Sequence, residues 1–171
     1  NPSLASSFNL WQNTKVQKTI DQSRIMTLFI NNESKVLGSR DARKAIAHAT
    51  PLLKEYGIPA NGPLPPASWA HFTDVKQYPY SLDLAKELVE KVETGSASAN
   101  ISLYTFFEYS DVAEKLKENY DKAGFTTDLK LRSYIPDDFD LLLTIWDVPD
   151  DPDQYVFWHS TQTDTNITKY N

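Results

Sequence analysis

The sequence predicts one α/β lobe with a mixed, partly parallel sheet flanked by helices. Two observations lead to this fold class. Short apolar or alternating runs, typical of strands, are interspersed with segments whose apolar residues recur at helical spacing. The strand–helix–strand order of these segments implies crossover connections and therefore parallel strand pairs. The length of 171 residues suits a single domain of ordinary size.

Composition narrows the classes of function. Seventeen Lys and Arg against 23 Asp and Glu leave a net charge of −6, so neither nucleic acid nor an anionic membrane is an expected partner. The absence of cysteine excludes disulfides, thiolate metal sites and cysteine nucleophiles. The apolar runs are much shorter than the roughly 20 residues that span a bilayer. Four Trp, nine Tyr and eight Phe indicate a folded chain.

The first 31 residues are expected to contain two strands. Residues 1–13 are polar and aperiodic, and we interpret them as a tail or entering loop ahead of a single lobe at 14–171. Alternation of polar and apolar residues favours a modest strand over 14–20. The run 24–31 is mostly apolar, which predicts a stronger strand that is buried on both faces.

A helix follows the loop after this second strand. Ser39 stands at the N-cap position, and apolar residues continue at helical spacing to Ala49. Pro51 is expected to end or kink the helix, because proline cannot continue the hydrogen-bond ladder. A short helical turn over 52–56 then ends at Gly57.

Residues 58–80 change in character. The segment 58–69 contains four prolines and one glycine in 12 residues, so it cannot form a helix or a central strand. A loop of this length favours a functional role over plain connection. Trp69 ends the proline-rich part, and an exposed aromatic side chain there would form part of a cleft wall.

The second half of the chain returns to regular elements. Ser81 is expected to cap a second helix with an apolar stripe, and Gly95 follows the end of that helix. A strand is predicted for 101–107. Asp111 and Glu114 have the spacing of a capping box at the start of a third helix.

Two further strands and a short helix are expected after that helix. Gly124 stops the third helix, and alternation predicts a strand at 126–132. The run 139–146 is the most hydrophobic strand of the sequence, and Trp146 stands at its end. A short helix is possible over 153–160.

The acidic loop at 147–153 allows three interpretations. It can be a solvated turn that places negative charge at a helix N-terminus, which we favour. It can bind a cation, although its spacing does not match an EF-hand loop. One of its carboxylates, Asp147 or Asp150, can instead receive a ligand ammonium group, because ligands of α/β sheets bind beyond the carboxyl ends of strands.

No motif in the sequence indicates an active site. There is no Gly-x-Ser-x-Gly sequence, phosphate-binding loop or glycine-rich dinucleotide turn, and the three histidines lack metal-ligand spacing. We therefore predict no catalytic residue, metal ligand or cofactor, and interpret His48 as an ordinary helix residue. Besides a domain that only binds a ligand, two other classes of function stay open. One is a hydrolase that uses an acid such as Asp138 or Asp150, and the other is an extracellular structural or adhesion domain.

Several segments together resemble one family, the peptide-class bacterial extracellular solute-binding proteins that serve the oligopeptide, dipeptide and nickel ABC importers. Their order and spacing agree over roughly residues 14–171. The similar segments are the strand 24–31 with the Ala-Arg-Lys-Ala-Ile helix at 42–46, the proline-rich loop 59–66, the helix at 80–89, the Phe-Asp to Trp block at 139–146, Asp-Pro-Asp at 151–153, and the segments 158–160 and 166–171.

The resemblance implies a fragment: the second, C-terminal lobe of a longer two-lobed receptor whose first lobe is missing here. It implies a non-enzymatic role, capture of a peptide or another small solute by hinge closure for uptake through an ABC permease. It also implies an extracellular or periplasmic location, with a parent protein that is secreted or lipid-anchored.

The sequence departs from the family where peptide specificity is set. Some peptide-binding members carry an Arg three residues before the tryptophan and an Asp three residues after it, and here those positions are Leu143 and Pro149. The resemblance therefore leaves Asp147 or Asp150 as the substitute carboxylate. The ligand-binding residues that we predict are Trp69, Trp146, Asp147 and Asp150.

Overall fold

The computed structural model describes residues 7–17, 19–94 and 99–170, and its core is a four-stranded sheet. The strands are β1 (Arg24–Ile30), β2 (Asn100–Phe106), β3 (Thr126–Arg132) and β4 (Leu141–Asp147), and their spatial order is β1-β4-β2-β3. β2 is parallel to both β3 and β4, whereas β1 pairs with β4 in the antiparallel sense. This topology confirms the predicted mixed, partly parallel α/β fold.

Four helices follow β1 in the described part of the chain. They are α1 (Arg40–Ala49), α2 (Leu82–Thr94), α3 (Ser110–Lys122) and the single turn α4 (Tyr155–Trp158), and a 3-10 turn at Phe107–Tyr109 leads into α3. α1 packs mainly against α2, and α3 packs against β2 and β3.

Apolar residues cover both faces of the central strand β4. Leu141 and Leu143 belong to the main core, together with the buried faces of α1, α2 and α3. Leu142 points to the other face, where it joins Phe29 and Phe139 in a smaller second core. The short helix α4 closes that second core through Trp158. β4 therefore forms the wall between two cores.

The helix boundaries follow local sequence signals. The Ser39 hydroxyl accepts a hydrogen bond from the Ala42 amide, as predicted for an N-cap, and Ser81 accepts one from the Leu84 amide at 3.3 Å. α1 ends at Ala49, two residues before Pro51. Gly124 ends α3 with a φ of +108°, a backbone conformation that residues with a Cβ rarely adopt. Gly95 lies outside the described residues.

Three local predictions were wrong. Residues 14–17 and 19–20 form no strand, because their side chains are almost all exposed and no neighbouring strand pairs with them among the described residues. Residues 52–56 form a turn closed by the Tyr56 amide and the Leu53 carbonyl, and the turn does not develop into a helix. β1 is an edge strand, so of its seven residues Phe29 alone is buried.

The start of α3 also differs from the prediction. The 3-10 turn runs directly into the helix, so Tyr109 is the N-cap residue and no capping box forms at Asp111. The Asp111 carboxylate instead accepts hydrogen bonds from the Val112 amide and from the Tyr56 hydroxyl, both at 2.9 Å. The residue therefore joins the loop after α1 to the first turn of α3.

The Asp140 carboxylate connects three segments at the start of β4. Its Oδ2 atom accepts hydrogen bonds from the Ser102 amide at 2.8 Å and from the Ser102 hydroxyl at 2.7 Å. Its Oδ1 atom accepts a hydrogen bond from the Ser34 hydroxyl, which also caps the loop that follows β1. Hydrogen bonds to a charged acceptor are about twice as strong as neutral ones, so this carboxylate holds the start of β4 in register with β2.

We expect Asp140→Ala to lower the free energy of unfolding by about 2–3 kcal/mol, because it leaves part-buried donors of Ser102 and Ser34 without their charged acceptor. Asp138→Ala, which removes an exposed carboxylate two residues earlier, should change it by less than about 0.5 kcal/mol. Urea denaturation followed by circular dichroism measures both values. Equal losses in the two variants would contradict the role given to Asp140.

Candidate functional site

The carboxyl ends of β2, β3 and β4 meet at one edge of the sheet because the three strands are parallel. Phe106, Arg132 and Asp147 are the last residues of these strands. β1 runs in the opposite direction and begins at this edge with Arg24, directly opposite Asp147. Ligands of open α/β sheets bind outside the carboxyl ends of the strands, so this edge is the candidate site.

An open cavity of about 270 Å³ lies at this edge, between the ends of β1, β2 and β4. Across its rim, the Arg24 Nε atom is 2.8 Å from Oδ1 of Asp147 and 4.0 Å from Oδ2 of Asp21. Both members of the closer pair are mostly solvent-exposed. The pair contributes little to stability in water, but it neutralises the Asp147 carboxylate.

Tyr109 forms the inner part of the cavity together with Phe106, whose ring meets the Tyr109 ring edge-on at 6.5 Å. Partial burial raises the pKa of the Tyr109 hydroxyl, and the neighbouring Glu108 carboxylate raises this pKa further. The hydroxyl is therefore a neutral hydrogen-bonding group at physiological pH. Tyr109, Phe106 and Arg24 were not predicted as site residues, because only the pairing of β1 and β2 with β4 places them beside the end of β4.

Trp146 is half-buried and forms part of the second core. Its ring contacts Phe29 at 6.0 Å, Phe157 at 4.6 Å and Trp158 at 5.8 Å. Trp158 in turn stacks on Phe29 and donates its indole N–H to Gln154 Oε1 at 2.8 Å. This aromatic cluster fixes α4, and hence the end of the acidic loop, against the sheet.

Trp69 lies on a turn within the long loop between α1 and α2. The turn is held by hydrogen bonds from the Ser68 amide to the Pro65 carbonyl and from the His71 amide to the Ser68 carbonyl. The His71 ring nitrogen Nδ1 lies 2.9 Å from the Leu64 carbonyl oxygen and closes the turn further. The indole itself is 85% exposed. The backbone of the turn is therefore held by local hydrogen bonds, while the Trp69 indole exposes a large apolar surface to solvent.

The end of this loop is anchored by His48. Its Nδ1 atom lies 2.8 Å from the Pro79 carbonyl oxygen, and its ring packs edge-on against Tyr78. The His48 side chain is buried and engaged in these contacts. The histidine therefore attaches the end of the loop to α1, which is a structural role.

The acidic loop after β4 divides into capping residues and one free carboxylate. Asp151 accepts a hydrogen bond from the Asp153 amide, and Asp153 accepts one from the Tyr155 amide at the start of α4. These contacts show a turn with acidic groups at a helix N-terminus. Asp150 is exposed, and its side chain has no hydrogen bond or ion pair to any described residue.

Three of the four predicted site residues are close neighbours in the sequence, at and just after the end of β4. Trp146 and Asp147 end β4, and Asp150 follows three residues later. Trp69 comes from the separate proline-rich loop, and no hydrogen bond or ring contact joins its side chain to the other three among the described residues. Neither of the two cavities at the sheet is lined by Trp69 or Asp150, so the described residues do not place the four in a single pocket.

The two acids considered for a hydrolase lie at opposite ends of β4. Asp138 precedes the strand and Asp150 follows it, and a strand of seven residues is about 23 Å long. Paired catalytic carboxylates are separated by less than about 10 Å, so these two are not placed to act as a pair. In the described ranges, no three His, Asp or Glu side chains come together in a group that could hold a metal ion.

The fold is that of one lobe of a periplasmic-binding-protein-like protein, and the candidate site lies at the carboxyl ends of its parallel strands. The particular family follows from a family model, the "Middle" region of the bacterial extracellular solute-binding proteins, family 5, which matches residues 1–168. The chain belongs to that family of binding proteins. A comparison with curated proteins found no match.

Several solved structures have a similar fold. NikZ from Campylobacter jejuni in complex with Ni(L-His) is 20% identical, with a TM-score of 0.78 over 99% of this chain and 39% of its own length. The oligopeptide-binding protein AppA from Bacillus subtilis, bound to a nonapeptide, is 21% identical, with a TM-score of 0.75 over 88% of this chain and 36% of its own. OppA from Listeria monocytogenes bound to peptide is 21% identical, with a TM-score of 0.72 over 98% and 39%.

The chain therefore spans well under half the length of these solved relatives. At such identities the likeness establishes the fold. None of the helices in the described ranges has the length and apolar content that a bilayer-spanning helix requires.

We expect Trp158 and Trp69 to contribute very differently to the stability of the fold. Trp158→Ala removes ring contacts with Phe29 and Trp146 and should lower the free energy of unfolding by about 2–3 kcal/mol. Trp69→Ala removes an exposed ring and should change it by less than about 0.5 kcal/mol. Thermal denaturation followed by circular dichroism compares the variants, and a large loss in Trp69→Ala would show that this indole is packed.

Proposed function

We propose that this chain is the C-terminal lobe of a longer two-lobed receptor that captures oligopeptides or a related small solute for import by an ABC permease. The observation that carries the proposal is the match of the family model over residues 1–168. The bound nonapeptide of AppA, the bound peptide of OppA and the bound nickel–histidine of NikZ indicate the kinds of ligand to test.

Receptors with two lobes gain affinity by closing over the ligand and burying it between them. The lobe described here has an unpaired carboxylate beyond the end of β4 and an exposed indole on the proline-rich loop, surfaces that one half of such a cleft would have. We propose that the missing first lobe provides the other half, and that the receptor acts outside the cytoplasmic membrane, anchored by lipid or secreted. This role requires no covalent chemistry.

We assign the ligand-contacting roles to Trp69 and Asp150. Trp69 has an exposed apolar surface that can pack against a ligand side chain. Asp150 has no partner among the described residues, so its charge is free to bind a ligand ammonium group. Asp147 is the weaker candidate because Arg24 already neutralises it at 2.8 Å. Trp146 supports the site from within the second core and does not form its surface.

The assignment of Asp150 predicts a specific loss of affinity. In the full two-lobed receptor, Asp150→Asn should weaken binding of unmodified tetra- to octapeptides about tenfold, because the ligand ammonium loses its counter-ion. It should leave binding of the same peptides with acetylated N-termini unchanged. Asp147→Asn is the matched control and should have a smaller effect. Isothermal titration calorimetry measures each affinity, and an equal loss for free and acetylated peptides would overturn the assignment.

The proposed division into lobes predicts that the 171-residue chain alone binds its ligand weakly or not at all. One lobe leaves the opposite side of the ligand in water, so most of the burial that drives closure is absent. The measurement compares the isolated chain with the full receptor, using a peptide mixture and nickel–histidine as separate probes. Tight binding by the isolated chain would show that it holds a complete site.

A further inference from the structure

A groove of about 830 Å³ runs along the outer edge of β1, on the side away from β4. Its walls are one face of α1 and the C-terminal segment around Thr168 and Tyr170. The residues of β1 that line it are consecutive, from Thr27 to Ile30, so the backbone edge of the strand is itself part of the groove. The kind of ligand that the groove can bind depends on whether the backbone amide and carbonyl groups of that edge are already hydrogen-bonded.

The pairing between β1 and β4 shows which backbone groups face the groove. The Asn31 amide donates to the Asp140 carbonyl at 3.0 Å, and the Val148 amide donates to the Ser23 carbonyl at 2.8 Å. In an antiparallel pair, residues alternate between hydrogen bonding to the partner strand and pointing away from it. The odd-numbered residues of β1 therefore bond to β4, and the amide and carbonyl groups of the even-numbered residues point outward from the sheet. Inside the strand these outward residues are Met26, Leu28 and Ile30, and of the three Leu28 and Ile30 line the groove.

The same alternation extends past the end of β1, where a neighbour is present. The Asn32 amide points outward and donates to the Thr168 carbonyl at 2.8 Å. The Asn32 side chain donates to the carbonyls of Thr168 and Ile30 at 2.9 and 3.3 Å. Among the described residues, no backbone group pairs with the outward groups of Met26 and Leu28. Pairing on this edge thus begins at Asn32 and does not continue along the strand.

The face of α1 over the groove consists of Arg40, Arg43, Lys44 and Ala47, which share one side of the helix. Arg43 donates to the Leu37 and Gly38 carbonyls, both at 2.8 Å, and Lys44 forms an ion pair with Asp41 at 3.1 Å. Two of the three cations are therefore engaged. This arrangement, beside a row of unpaired backbone groups, suits an extended polypeptide better than an anionic ligand.

We propose that the outer edge of β1 pairs with a fifth strand, contributed by a part of the receptor polypeptide outside these 171 residues. Addition of a strand satisfies a row of edge donors and acceptors through main-chain hydrogen bonds. The solved relatives are more than twice as long as this chain, so such proteins contain enough further polypeptide. Walls on both sides of the edge admit one extended segment more readily than the edge of another folded copy.

Amide hydrogen exchange followed by NMR tests this proposal, because it compares the outward amides of β1 with the amides that bond to β4. In the full receptor, the amides of Met26 and Leu28 should exchange within about tenfold of those of Thr27 and Phe29, because both sets are then hydrogen-bonded. In the 171-residue chain, Thr27 and Phe29 should stay protected, whereas Met26 and Leu28 should exchange much faster. Thr27 and Phe29 are thus internal controls for the integrity of the β1–β4 pair.

Three results would overturn the proposal. Fast exchange of Met26 and Leu28 in the full receptor would show that no strand pairs with this edge. Protection of both amides in the isolated chain at every concentration would assign the strand to the chain itself. Protection in the isolated chain that disappears on dilution would assign the partner strand to a second copy. Each result is independent of whether the receptor binds peptides, so the test separates this inference from the proposed function.

Discussion

The burial of β4 on both faces is the constraint on which the rest of this lobe depends. Three consecutive leucines, 141–143, are buried, so the strand needs apolar cover on each side. Burying one leucine side chain stabilises a fold by about 2 kcal/mol. The leucines on each face of β4 contribute this free energy only when other apolar residues pack over that face. The helices α1, α2 and α3 cover one face, and the aromatic cluster with α4 covers the other. The acidic loop begins at the end of β4, between the helices on one face and the aromatic cluster on the other. This origin positions Asp147 and Asp150 at the end of the sheet.

The fold was predictable because its signals are local. Serine caps at 39 and 81, Gly124 at a positive φ and the apolar run at β4 each act within a few residues of chain, and the structure contains all four. The strand at 14–20 was wrong because alternation without a pairing partner does not form a strand. The apolar run of β1 predicted full burial. Hydrophobic runs do not distinguish a central strand from an edge strand, because the difference lies in what packs beside them.

The site was less predictable because its contacts join distant parts of the sequence. Trp146 and Asp147 follow from the end of a hydrophobic strand, but the state of each depends on a residue more than 100 positions away. Arg24 neutralises Asp147 because β1 pairs antiparallel with β4, and Phe29 covers Trp146 for the same reason. Strand pairing of this kind has no local signal. It changes the interpretation of both residues and leaves Asp150 as the free carboxylate.

The exposure of Asp150 and Trp69 indicates how the proposed ligand would be held. A carboxylate and an ammonium 4 Å apart attract by only about 1 kcal/mol in water, and by about 4 kcal/mol in the lower effective dielectric near a protein surface. Asp150 and Trp69 are both exposed on this lobe, so a ligand that touched them alone would gain little from either contact. In the proposed receptor, a second lobe that excluded water from these groups would strengthen the charge contact and bury the indole at the same time. That second surface would then determine the affinity more than any further contact within this lobe.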